Sequence, residues 1–152
     1  MRINFTRSLA AGIIGTVAFD LVGLALTGTF WDIPALLGSK LFGEGSLVAG
    51  VLAHYTNGVV LAVLYGAIAP SLWGNRWARA TTFVTAQTIF GVWLFMAPLL
   101  GGGPLGLEFG VMFPVIALVR HWAYGAALAV LYPLPIDQNT SASRIPVGPQ
   151  PA

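Results

Sequence analysis

Four side chains that carry charge or titrate lie inside otherwise apolar runs: Asp20, His54, Arg120 and His121. In lipid such residues are costly, and they mark a functional site by default. Counted along their runs, all four share one depth, slightly to one side of the midplane. The reading that follows is a buried ion pair between Asp20 and Arg120, because an unpaired charge there would cost several kcal/mol, with the histidines flanking it.

Three kinds of chemistry fit these types and spacings. His54 and His121 on neighbouring helices suit the axial positions of a b-type haem, and either one alone suits the magnesium of a chlorophyll. A proton or ion path would use Asp20, Arg120 and both histidines, with Thr16 and Gln87 extending the polar face. The plainest alternative is structural: the Asp20–Arg120 pair locks the first span to the last. Asn57 and Tyr124, each one turn after its histidine, are then the expected hydrogen-bond partners that fix the rings.

Enzyme chemistry finds no foothold. The chain has no cysteine, so disulfides, thiolate metal sites and cysteine nucleophiles are excluded. Gly101, Gly103 and Gly106 satisfy G-x-G-x-x-G, but no strand precedes them, so no dinucleotide unit fits. A Ser/His/Asp triad, a zinc-protease motif and a phosphate loop are all missing, and the chain reads as non-catalytic, with no metal site.

The elements that position these residues come in two copies. HYTNGVVLAVLYG begins at His54 and HWAYGAALAVLYP at His121, with LAVLY identical in both. The chain is 57% hydrophobic and 8% charged, against about 25% charged in soluble domains. Its mean hydropathy is +0.81. These values place it in a bilayer, as an all-α membrane protein with four transmembrane helices arranged as two parallel helix-pair repeats. The spans are expected at 8–28, 47–69, 81–100 and 109–132, making a bundle over 1–132. The Pro/Ser-rich stretch 133–152 follows as a tail without regular structure. Between the first two spans, Asp32-Ile33-Pro34 is set to start a short surface helix.

Arg2, Arg7, Arg76, Arg79 and Arg144 fall on one side of this arrangement, and Lys40 stands on the other with Asp32, Glu44 and Glu108. The positive-inside rule then puts both termini in the cytoplasm of a cell with an inner, cytoplasmic-type membrane. Basic residues this sparse do not make a nucleic-acid surface. Small residues recur at helical spacing: Gly15 on the first span, Gly58, Ala62 and Gly66 on the second, Gly125 and Ala129 on the fourth. Such rows let helices approach closely in lipid.

The repeated H-x-x-x-G-x-x-L-A-x-L-Y, together with AGIIGTVAFDLVG and WDIPALLG in the first half, resembles a family of small four-helix bacterial integral membrane proteins of unknown function. The resemblance covers Ser8 to Tyr132 and implies the fold and the membrane location, without an activity. Four spans with little mass outside the bilayer and no catalytic constellation lead to the expectation of an accessory, structural subunit. It would pack against other membrane subunits of a larger complex, with energy-transducing assemblies as the analogy, and with the haem- or chlorophyll-binding subunit and the small proton or ion transporter as alternatives.

Overall fold

Asn4 ends the N-terminal segment by accepting a hydrogen bond from the Arg7 backbone N–H at 3.0 Å. An N-cap asparagine satisfies one of the amides that a helix leaves open at its start, and helix α1 runs from it over Phe5–Thr27. Gly28, at φ 74°, takes the left-handed conformation that closes α1. The computed structural model describes residues 4–132, so the expected tail at 133–152 lies outside the described residues.

Helix α2 (Asp32–Phe42) is short, with Asp32 and Pro34 in its first turn, and α3 (Leu47–Ile68) follows through glycine turns at Gly43 and Gly45. After a 3-10 turn, Asn75 accepts from the amides of Trp77 and Ala78 and starts α4 (Arg76–Gln87). This helix widens into a π-helical segment, Thr88–Met96, and regains α geometry in the short α5 (Ala97–Leu99). Pro98 explains much of that change, since in an α-helix its ring would collide with the carbonyl four residues back. The Ala97 N–H bonds instead to Val92, five residues back. Just past the end of α5, the amides of Gly101 and Gly102 bond back to Pro98 and Ala97, a Schellman closure with Gly101 at φ 84°. A 3-10 stretch, Pro104–Phe109, leads to α6 (Phe113–Leu131).

Four helical segments are long and apolar enough to cross a membrane: Phe5–Thr27, Leu47–Ser71, Arg76–Leu99 and Phe113–Leu131. All regular structure among the described residues is helical. The second helix starts at Leu47 as expected, but the first, third and fourth start at Phe5, Arg76 and Phe113, several residues from where hydropathy alone places the spans, because Asn4, Asn75 and Pro114 fix those starts and hydropathy does not register them.

Helices α1 and α6 form the central pair, with α3 packed on α1 and α4 on α6. Close approach at these contacts is made by small residues. A side chain at Gly12 would strike the α3 backbone at Val59, one at Gly15 the Tyr124 ring, and one at Gly125 the Val84 side chain. Gly58 lies against Thr16 and Gly66 against the Tyr132 ring, while Ala62 and Ala129 are fully buried. At the other flank α2 packs closely on α3, where Gly50 faces the backbone of Pro34 and Gly38. No extended contact joins α3 to α4.

Candidate functional site

The missing α3–α4 contact leaves a cleft of about 740 Å³. Its walls come from α3, the π-helical segment and α6, and α2 covers one end. Ile33 and Leu36 of α2, Leu61 of α3, and Val92, Phe95 and Met96 of the π segment supply apolar surface. Exposed Asn57 and Phe95 stand on its rim, on opposite sides. Polar groups gather where the cleft meets α1 and α6: Thr16, Asp32, His54, Arg120, His121 and Tyr124.

The charged residues do not pair as their depths suggest. Arg120 is 2% exposed and holds Asp32, with Nη1 donating to Oδ1 at 2.8 Å and Nη2 to Oδ2 at 2.5 Å. Nη2 also lies 3.3 Å from the Thr27 hydroxyl. Asp20, fully buried, instead accepts from His54 Nε2 at 3.1 Å and from the Tyr55 hydroxyl at 3.2 Å. The expected Asp20–Arg120 pair is thus replaced by two separate pairs.

Side-chain direction accounts for the exchange. At 1.5 Å per residue, Asp20 and Arg120 start at a common depth, about 10 Å from the α2 end of their helices. Helical side chains lean toward the N-terminus of their own helix, and α6 begins at the α2 end. The long Arg120 side chain therefore runs away from Asp20, along α1. Gly23 leaves the groove it needs, since a Cβ at Gly23 would sit 2.6 Å from the guanidinium carbon. The head then emerges at Thr27 and Asp32.

Phe19 lies at the centre of the cluster. Its ring centroid is 5.3 Å from that of His54, 5.0 Å from that of His121 and 5.5 Å from the Arg120 guanidinium carbon. A guanidinium near the face of an aromatic ring is attracted by the ring's quadrupole. The ring also fills space beside all three polar groups, so they form no continuous hydrogen-bonded relay. Sequence reasoning overlooked Phe19, Tyr55 and Asp32 as members of the site; the signal for Asp32 was its place in the first turn of α2, directly beyond the end of α1.

The histidines differ in what they can do. A carboxylate accepts, so His54 Nε2 carries the hydrogen bonded to Asp20. His121 Nδ1 donates to the Ala117 carbonyl at 2.7 Å, which in the neutral ring leaves Nε2 with its lone pair. Paired axial ligation of one haem by His54 and His121 does not fit this arrangement, because the His54 Nε2 is engaged by Asp20 and Phe19 packs against both rings. The expected ring-fixing partners are also replaced. Tyr124 donates to the Gly58 carbonyl at 2.6 Å, and Asn57 stands at the rim while His54 is held by Asp20. Thr16 donates to Gly12 at 2.8 Å. Gln87 lines the far side of the cleft, its amide folded toward Gly91.

No family model matches this chain, and no curated protein or solved structure is similar to it. The geometry of the cleft is therefore the basis for any functional reading. No group of three His, Asp or Glu side chains arranged to hold a metal ion occurs among the described residues.

Proposed function

We propose that this protein is an integral membrane binding protein whose cleft between α3 and the π-helical segment holds a lipid-soluble molecule. The observation that carries the reading is the cleft itself. Its volume lies within the range of about 300–1,000 Å³ usual for small-molecule sites, and it joins apolar walls to a few convergent polar groups. Elsewhere the helices are packed through glycine contacts, whereas here the third span is widened by its π segment, a distortion frequent at functional sites. A molecule dissolved in the bilayer would enter sideways between α3 and α4, with its polar end at Arg120, Asp32 and His121.

The topology belongs to the same proposal: two helix pairs in parallel, both termini in the cytoplasm of an inner-type membrane, following the arginines at 2, 7, 76 and 79. The small-residue rows lend no separate support to an accessory-subunit role, because Gly12, Gly15, Gly58, Gly66 and Gly125 face partners within this chain.

The test is to extract the protein in lipid nanodiscs and identify what co-purifies, beside a Leu61→Trp variant that fills the cleft. A compound enriched over bulk membrane lipid, near one per chain and lost in the variant, is expected. The same bulk-like lipid profile in both proteins would refute binding.

A further inference from the structure

The polar end of the cleft has a chemical bias that follows from where its hydrogens already go. Thr16 donates its hydroxyl hydrogen to Gly12, Thr27 donates to the Gly23 carbonyl at 2.9 Å, and Tyr124 donates to Gly58. His121 gives its Nδ1 hydrogen to Ala117. Each of these groups has only one hydrogen in the state described. Thr27 also accepts from Arg120 and from the Thr29 N–H, whereas Thr16, Tyr124 and His121 still present oxygen or nitrogen lone pairs.

The cation nearby does not reverse this bias. Nη1 and Nη2 of Arg120 each donate to Asp32, Nη2 donates also to Thr27, and Nε is buried without a partner against Gly23 of α1, so one Nη1 hydrogen is left over, which the oxygen of a hydroxyl can accept. The Arg120–Asp32 pair is formally neutral and adds further carboxylate lone pairs. An anionic headgroup would meet these acceptors and a guanidinium whose charge Asp32 already balances. A group that can only accept, such as an ether or ketone oxygen, would leave the same lone pairs unmet. Buried polar groups left without partners are costly.

We infer that the ligand is a lipophilic alcohol, a long-chain or isoprenoid molecule whose hydroxyl donates to the lone pair of His121 and whose tail lies along Leu61, Val92 and Phe95 toward the rim. The inference rests on the binding function proposed above. A hydroxyl also accepts, so the amides of Gln87 and Asn57, on the two sides of the cleft, do not oppose it.

The experiment uses the full chain in lipid nanodiscs and three probes with one tail: 1-tetradecanol, its methyl ether and tetradecanoic acid. Native mass spectrometry measures occupancy at matched mole fraction in the membrane. The alcohol is expected to bind about tenfold more tightly than the ether, the size of one hydrogen bond, and the acid no better than the ether. In His121→Phe, with folding checked by thermal melting, the alcohol-to-ether ratio should fall toward one. The ratio in the unaltered protein is decisive on its own. An alcohol-to-ether ratio near one, or preference for the acid, would overturn the headgroup inference and leave the binding function standing. If none of the three saturates, or Leu61→Trp binds them equally, both readings are overturned.

Discussion

Replacing Asp32 with alanine tests the central electrostatic feature of the bundle. Asp32→Ala removes both carboxylate bonds from Arg120, a side chain that is 2% exposed, and leaves it only the Thr27 hydroxyl. Breaking a fully buried pair by removing one partner costs about 3–5 kcal/mol, whereas exposed pairs are worth about 0–1 kcal/mol. The Asp32 side chain retains 29% exposure, so the freed guanidinium can reach toward water at the α2 end. The expected loss is therefore about 2–3 kcal/mol. Reversible unfolding in mixed micelles, titrated with denaturing detergent, would read it. Much of that cost belongs to the stranded charge, so Asp32→Ala combined with Arg120→Met should be more stable than Asp32→Ala alone. A coupling energy under about 0.5 kcal/mol in this cycle, or a larger coupling of Arg120 to Asp20 than to Asp32, would refute the pairing.

Gly23→Val should destabilise the bundle by about 1–3 kcal/mol, as overpacking does, and Arg120→Met should restore much of the loss because the guanidinium that meets the new side chain is gone and methionine adapts its rotamer; unfolding of the single and double variants checks this. Gly50→Ala places its Cβ against the backbone of Pro34 and Gly38, so the α2–α3 hairpin has to open, and no side-chain truncation on α2 should rescue its melting temperature. Added hemin should give no bis-histidine low-spin absorption spectrum, and the titration should be unchanged by His54→Ala. Single cysteines at Asn75 and Gly102 should label from opposite sides of the membrane; labelling from one side would end the four-span topology.

The helical class and the four apolar segments were legible because composition and run length report the solvent directly. Helix ends were less so: they depend on single capping residues such as Asn4 and Asn75, which hydropathy averages away. The polar cluster was located but wrongly wired. Depth along a helix can be counted from sequence, yet Arg120 is long enough to leave its own level, and its destination was set by the absence of a side chain at Gly23. The cleft was the least legible feature. It arises from a contact that α3 and α4 fail to make and from a change of helical period after Gln87, neither of which leaves a periodic signature in residue type.

The two buried carboxylate pairings also impose an order on biogenesis. Asp20 and His54 are 34 residues apart, and both enter the bilayer with the first half of the chain, so the deeper carboxylate has its partner early. Asp32 and Arg120 are 88 residues apart. At synthesis rates of about 5–20 residues per second, Asp32 waits about 4–18 s for Arg120. It waits at a helix end beyond the first span, where water can solvate it. Arg120 arrives last, inside an apolar segment, and meets a receptor already assembled from Gly23, Thr27 and Asp32. The chain thus holds its cheaper charge in reserve at the surface and delivers the costlier one only when the docking groove exists. Insertion of the final span is in this sense the ratchet step that commits the first half to its final shape.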